Sequence, residues 1–389
     1  MKRANVAAMV GLSLAALSAP WWAPRVIWEQ LPWQRERVML VDYTVPFLSA
    51  REHRGIAWVL NHRKYRAPDG GHWTPLGSHV GYHPDDRAHP GTIAGQDLAA
   101  VDWIVLSDAY GVYVDDLRDT VRERAHMDYS QRIFGGLSVP DADTLAAFAG
   151  RGRHFLLEFN ALEEPTPPEA RATVEGLLGV HWTGWTARLF VDLRDTTDVP
   201  FWLPRLHRER YGNDSLPVGP TLVLVHKDGR LFYLTATQPW AAAPHVVLTE
   251  AGRDAVPAAS GGAPYYYWFP IITADPGTEV LAELEMPPLR ARDSVLAAAG
   301  VAKSVPMLTR RVVGDSHRLY LAADLSDTDF DPGPYRFAGL GWIRTRFEDN
   351  PFRVDGQNAF WQFYVPAMTQ LLRTPYDGPP TLAAEPGRR

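Results

Sequence analysis

The chain has 389 residues, of which 46% are hydrophobic and 22% charged, and its formal net charge at pH 7 is −6. This length and composition are typical of a folded globular protein with a large core. A negative net charge without a dense Lys/Arg cluster argues against a nucleic-acid-binding surface. Because the chain contains no cysteine, it has no disulfide framework and depends on its core for stability.

The N-terminal residues have the pattern of an export signal. Lys2 and Arg3 precede an uncharged run, rich in Ala, Leu and Val, from Val6 to Ala19. Positive charge before such a run directs the following residues outward. We therefore predict that residues 1–36 are a signal or transmembrane-helix anchor with a connector. The protein is then exported, and it is either anchored in the cytoplasmic membrane facing outward or secreted after cleavage. Interface-type tryptophans follow the run at Trp21, Trp22, Trp28 and Trp33.

The first half of the remaining chain alternates apolar strands with amphipathic helices. Residues 37–46 predict a buried strand that includes Asp42, and a helix follows over 49–65. A second buried strand within 102–113 reaches Asp108. The pattern continues with a helix at 140–149, a strand at 154–157 and a helix at 169–178. This alternation predicts an α/β fold with a doubly wound, mostly parallel sheet.

From about residue 186 the sequence becomes rich in predicted strands. Residues 221–234 predict a hairpin with Asp228-Gly229 at its turn, and 310–326 predict another around Gly314-Asp315. The C-terminal part is predicted as a closing segment over residues 331–373, with a helix from residue 358, and a disordered tail over 374–389.

Three segments carry a family resemblance. The first is DWIVLSD (102–108) followed by FGGLSVPDADTLAAFAGRGRHFLLEFN (134–160), a strand, Gly-Gly, helix, Gly-rich turn and strand. The second is ARATVEGLLGVHWTGW (170–185), and the third joins GTEVLAELEM (277–286) to VPMLTRRVVGDSHRLYLAADLSD (305–327). Together they resemble the class I glutamine amidotransferase-like superfamily, and most of all the trimerisation-type domain of bacterial β-galactosidases. The whole chain also resembles a family of exported bacterial proteins that share Tyr-Gly-Val-Tyr and Tyr-Tyr-Tyr-Trp motifs.

The resemblance implies one amidotransferase-like α/β domain over residues 37–330, with a flavodoxin-like sheet and a β-rich insertion at about 186–275. Catalytic members carry a nucleophilic cysteine where this chain has residues 150–160, and this chain has no cysteine. No thioester can form, so cysteine-dependent glutamine hydrolysis is excluded. Glu158 near this position could instead act as an acid, base or nucleophile. Since the β-galactosidase domain is an assembly domain, the resemblance also implies a homo-oligomer as one alternative.

Acidic residues end three of the predicted parallel strands. Ligands bind beyond the carboxyl ends of such strands, so Asp42, Asp108 and Glu158 are expected around one pocket. Neighbouring carboxyls raise each other's pKa, which suits Glu158 and Asp108 as catalytic acid and base, with His53 assisting. The alternative is that each acid caps a helix or ties a loop. The predicted ligand-binding residues are Asp42, Arg51, Glu52, Tyr110, Tyr113, Gly135, Gly136, Asn160 and Trp185.

Other clusters carry weaker signals. Gly135-Gly136 lacks the Lys-Ser/Thr that a phosphate loop needs. The Trp182/Trp185 pair and the run from Tyr265 to Trp268 could stack on sugar rings or fill the core. Four histidines in one loop match no helix-borne zinc motif, so we predict no metal and no cofactor; they are His72, His79, His83 and His89.

Two functions follow from this pattern. The first is a binding or assembly module of the cell envelope that recognises a surface polysaccharide, with a carbohydrate as its ligand and no nucleic-acid partner. The alternative is a carboxylate-dependent hydrolase that acts on a glycan or on a glycan ester or amide. Carboxyl groups converging on one pocket favour the hydrolase, whereas acids turned onto helix ends or into salt bridges favour the binding module.

Overall fold

The structure is a computed structural model that describes residues 17–74, 77–87, 89–117, 131–348, 350 and 352–373. The described residues form a large sheet, a smaller one and a short ribbon. The strands are β1 Val38–Asp42, β2 His79–Gly81, β3 Trp103–Leu106, β4 Val112–Tyr113, β5 Arg132–Phe134, β6 His154–Glu158, β7 Val180–Phe190, β8 Thr221–His226, β9 Leu231–Thr235, β10 His245–Leu248, β11 Phe269–Ala274, β12 Glu279–Glu285, β13 Ser304–Val313 and β14 Ser316–Leu321.

The helices separate most of these strands along the chain. They are α1 (17–30), α2 Arg54–His62, α3 Val139–Gly150, α4 Pro168–Leu178, α5 Trp202–Tyr211, α6 Pro239–Ala242, α7 Glu250–Ala255, α8 Arg292–Ala299, α9 Leu340–Phe347 and a C-terminal helix that runs from Gln357 to Leu371. Short 3₁₀ turns precede α2 and follow β6. The predicted alternation of strands and helices is therefore confirmed for the first half of the chain.

The large sheet has eight strands in the order β10-β12-β13-β14-β6-β3-β1-β2. The five strands from β14 to β2 run parallel to their neighbours, and β13, β12 and β10 add antiparallel pairs at one side. The prediction of an α/β fold with a mostly parallel sheet is confirmed. All carboxyl ends of the parallel strands therefore lie at one edge, which is where the candidate site is built.

Alternate residues of each strand point to opposite faces of this sheet, and both faces are buried under a core of their own. On one face Met39, Ile104 and Phe155 pack with apolar residues of α3 and α4. On the other face Leu40 and Val105 pack with α2, the C-terminal helix and the smaller sheet. These two cores fix the sheet edge at which the polar strand ends emerge.

The smaller sheet is antiparallel, with the order β11-β7-β8-β9. The predicted hairpin at Asp228-Gly229 forms its β8 and β9, and Gly229 takes a left-handed φ of 83° at the turn. β10 lies within the predicted insertion but joins the large sheet by pairing with β12. Residues 186–275 therefore contribute to both sheets.

The C-terminal helix contains a π-helical turn over Phe360–Tyr364. Pro366 explains it, because proline lacks the N–H that would bond the carbonyl of Gln362. The backbone N–H of Ser260 donates to that carbonyl instead, at 2.8 Å. The turn brings Phe360, Trp361 and Tyr364 into the core, and Tyr364 reaches the site from below.

The described part of the N-terminal segment is a helix docked on the domain. Trp28 is 1% exposed, and its indole N–H donates to the carbonyl of His62 at 2.9 Å. In the described residues no helix has both the length and the apolar content to cross a membrane, which contradicts the predicted transmembrane helix. Residues 1–16, which hold most of the predicted signal, and the predicted tail over 374–389 lie outside the described residues.

Candidate functional site

Asp42 ends β1 and holds the segment that follows it. One carboxylate oxygen of Asp42 accepts the backbone N–H of Thr44 at 2.8 Å, and the other lies 2.7 Å from Nδ1 of His53. Asp42 is fully buried and His53 is almost fully buried. The strand end therefore carries a buried Asp–His pair, which fixes the 3₁₀ turn of Arg51–His53 above the sheet.

Asp108 lies two residues beyond the end of β3. Its carboxylate accepts the backbone N–H of Tyr110 at 2.7 Å and the side-chain amide of Asn160 at 3.2 Å. Burial and the charge of Asp42 raise the pKa of Asp108 to about 7. The structure thus brings together Asp42, Asp108 and Asn160, which the sequence predicted at neighbouring strand ends.

Glu158, at the end of β6, is enclosed by its partners. Its two carboxyl oxygens accept from the hydroxyls of Ser326 at 2.6 Å and Tyr364 at 2.7 Å. Burial raises the pKa of Glu158 to about 8, although both hydrogen bonds oppose the shift. A carboxyl with no exposed surface and both oxygens occupied supports the site from beneath.

Glu52 and Arg51 begin the turn after β1. Burial, together with the charge of Asp42, raises the pKa of Glu52 to about 8, and Oε2 of Glu52 has no hydrogen-bond partner among the described residues. The Arg51 guanidinium lies 3.8 Å from the other Glu52 oxygen and 3.3 Å from the Asp327 carboxylate. Arg51 thus joins the turn after β1 to the loop after β14.

That loop after β14 supplies two carboxyls that the sequence analysis did not select. Asp324 is 9% exposed, and its carboxylate accepts the backbone N–H of Asp327 at 3.2 Å. Burial and the charge of Asp327 raise the pKa of Asp324 well above its usual range. Burial also raises the pKa of Asp327, but the Arg51 guanidinium opposes that shift. The missed signal was an apolar strand followed by acids, LYLAADLSD, as at β1 and β3.

These elements enclose a cavity of about 390 Å³ above the strand ends. Asp324, Asp327 and Arg51 line one side, and Arg188 of β7 with the tyrosines before β11 lines another. Arg188 pairs with Asp198, and its guanidinium lies 4.8 Å from the ring centre of Tyr267. Of the site residues predicted from sequence, only Arg51 lines this cavity, whereas Glu158, Asp108 and His53 do not.

The remaining predicted ligand-binding residues have other surroundings. Tyr110 is 44% exposed and its ring lies 4.9 Å from that of Tyr113. Gly135 lies so close to Gly111 that a Cβ on it would fall 2.4 Å from the Gly111 Cα, so the glycine permits close backbone contact. Gly136 donates its N–H to the carbonyl of Ala109. Trp185 is 3% exposed in the core between the two sheets.

The four loop histidines do not converge. His79 stacks on His83 at 4.1 Å between ring centres, and His72 packs against Trp33 at 4.4 Å. His89 lies in an exposed contact with Asp86. In the described ranges no group of three or more His, Cys, Asp or Glu side chains has an arrangement that could hold a metal ion.

Comparisons with known proteins give only distant similarities. No protein-family model and no curated protein matches this sequence. One similar structure is Agd3, a carbohydrate deacetylase, with a TM-score of 0.32, 8% identity, and coverage of 85% of this chain and 32% of that chain. Another is the exo-β-1,4-mannosidase Op5Man5 from Opitutaceae bacterium strain TAV5, with a TM-score of 0.34, 10% identity, and coverage of 88% and 36%. This chain spans about a third of each protein, and similarities this low carry no argument about its activity.

Proposed function

We propose that this protein hydrolyses a glycosidic bond in the cavity above the strand ends. The observation that carries the proposal is that a buried carboxyl, Asp324, and a partly buried one, Asp327, line the same cavity. Glycoside hydrolysis needs two carboxyl groups beside the bond, one protonated and one ionised. Partly buried tyrosines at the opposite side offer apolar surface for a sugar ring.

The surroundings of the two carboxyls assign their roles. Burial raises the pKa of Asp324, which favours its protonated form, and this carboxyl donates its proton to the leaving glycosidic oxygen as the C–O bond breaks. Asp327 pairs with Arg51, which favours its ionised form. Asp327 then accepts a proton from the water whose oxygen bonds to the anomeric carbon. Proton exchange with solvent restores both groups.

The fold supports a finer proposal about the sheet. The parallel strands follow the order β2-β1-β3-β6-β14, which corresponds to the 2-1-3-4-5 order of flavodoxin-like sheets with binding at the carboxyl ends. We therefore keep the flavodoxin-like and amidotransferase-like relationship as a proposal, without the cysteine chemistry.

A second candidate is a glycan-binding module without turnover. Two ion pairs favour it: Asp327 pairs with Arg51, and Asp198 pairs with Arg188. Acids held in ion pairs are typical of structural or binding roles. In this case the cavity holds a sugar but supplies no proton transfer.

One experiment separates the two candidates. The purified chain is incubated with a panel of polysaccharides, and both binding and new reducing ends are measured for wild type, Asp324→Asn and Asp327→Asn. The hydrolase predicts release by wild type and a loss of roughly 10²–10⁴-fold in each variant. Asp254→Asn, on the exposed surface of α7 and away from the cavity, is the control and keeps wild-type activity. Binding without release in every protein would make the chain a binding module.

A further inference from the structure

The cavity carries more negative than positive charge. Its lining contains the guanidinium groups of Arg51 and Arg188. The acidic side chains that line it are Asp198, Asp324, Asp327, Asp329 and Asp355. Five carboxyls against two guanidinium groups give a formal difference of −3 when every group is ionised. Glycoside hydrolysis needs only two of these carboxyl groups. The others therefore affect which sugar the cavity accepts.

Both cavity cations already have partners. Arg51 lies 3.3 Å from the Asp327 carboxylate, and Arg188 is paired with Asp198. In the part of the chain that the structure describes, no cation lies within ion-pair distance of Asp324 or Asp329. Asp324 is buried, and its raised pKa favours the protonated form, whereas Asp329 is exposed and lines the cavity. Asp329 is therefore the carboxylate that a ligand cation would meet.

Two buried polar atoms at the cavity are also unused. Thr328 is 2% exposed, and its hydroxyl has no hydrogen-bond partner among the described residues. Arg188 is 8% exposed, and its Nε–H likewise has no acceptor there. Both residues line the cavity. Buried polar groups are nearly always satisfied, so these two point to a ligand with hydroxyl oxygens.

We propose that the substrate is an amino sugar with a free, protonated amine. Its ammonium group lies against the carboxylate of Asp329, and its hydroxyls bond to Thr328 and to Nε of Arg188. An ammonium in this place also gains from the neighbouring tyrosine rings. This inference rests on the proposed function, because it names the substrate class of the same cavity.

The test uses three hexasaccharides with one β-1,4-linked backbone. They are glucosamine hexamer, N-acetylglucosamine hexamer and cellohexaose, which carry an ammonium, an acetamide or a hydroxyl at the same carbon. Binding to the full chain is measured by calorimetry, and cleavage by the appearance of new reducing ends. We expect glucosamine hexamer to bind about 10–100-fold more tightly than the other two, the range for a charge-assisted hydrogen bond.

Variants locate the preference. Asp329 is exposed, so Asp329→Asn keeps the fold and is expected to bind glucosamine hexamer several-fold more weakly while its binding of cellohexaose stays the same. Asp254→Asn is the matched control and keeps the full preference. The inference is overturned if the three sugars bind equally, if the acetylated sugar is preferred, or if none binds. A third result would separate the two proposals. If cellohexaose is cleaved as well as glucosamine hexamer, and this cleavage is lost in Asp324→Asn, the amine preference is overturned and the proposed hydrolase stands.

Discussion

The buried carboxyls make stability depend on pH at the level of single residues. Glu158 has a pKa near 8 in the folded chain against 4.5 as its ordinary value, so between these values the folded state keeps a proton that the unfolded state releases. The free energy of unfolding therefore falls as pH rises through this range, by up to about 1.4 kcal/mol per pH unit for one proton. Glu52 and Glu163 act in the same direction, since burial raises the pKa of each to about 8.

Glu158→Gln tests this linkage. Glutamine is neutral at every pH, so the variant is expected to lose less stability than wild type between pH 6.5 and 8. Urea unfolding at several pH values measures the slope. The comparison is limited to pH above 6.5 because His79 contributes below that value. Burial lowers the pKa of His79 to about 3, so at lower pH the unfolded chain takes up a proton that the folded chain does not, and the free energy of unfolding falls. Asp254→Asn is the control, and a Glu158→Gln slope equal to wild type would refute the linkage.

The residues of the site differ in how far the sequence could predict them. Asp42, Asp108 and Asn160 follow strands whose apolar pattern is local, so their meeting at one sheet edge followed from the parallel alternation. Asp324 and Asp327 were missed because β14 is also half of an antiparallel hairpin with β13. Its parallel pairing with β6, which aligns Leu319 with Leu156, joins residues far apart in sequence. Composition and periodicity do not encode such a pairing.

Three elements are packed together at Gly55, and this contact positions the cavity loop. Gly55 of α2 donates its N–H to the carbonyl of Ser326 at 2.8 Å. A Cβ at this position would lie 2.9 Å from that carbonyl oxygen and 2.9 Å from the ring of Phe360. The first neighbour is backbone between Asp324 and Asp327, and the second belongs to the C-terminal helix. A small residue here therefore lets the helix hold the cavity loop closely.

Gly55→Ala is expected to displace that loop. Overpacking of this kind costs about 1–3 kcal/mol of unfolding free energy, and the shift at Ser326 should also reduce turnover. Gly176→Ala in α4 is the matched control, because nothing lies within 4 Å of its added Cβ. That variant should gain about 0.5–1 kcal/mol, since alanine is the better helix former. Denaturant unfolding and sugar release measure both; wild-type stability and turnover in Gly55→Ala would contradict the packing argument.

On the scale of the whole molecule, the N-terminal helix is part of the folded unit. Charge and hydropathy suggested a segment apart from the domain, but they do not report where a single large side chain docks. The Trp28 ring centre lies 5.7 Å from that of Tyr335. The Lys64 ammonium lies over the Trp28 ring, 4.5 Å from its centre. The Lys64 ammonium also donates to the carbonyls of Glu29 and Leu31 at the end of α1. One buried aromatic and one lysine therefore tie this helix to α2.

Trp28→Ala should release α1 while the sheets remain folded. Removing a buried tryptophan costs about 3–5 kcal/mol, and the loss falls on α1 because its docking depends on this side chain. Hydrogen exchange of the amides over 21–31 should accelerate, with little change in β3 and β6. Trp22→Ala is the control, since Trp22 is 48% exposed and its indole N–H donates to the Ser18 hydroxyl within α1. Equal protection of α1 in both variants would mean that the helix is held by contacts other than Trp28.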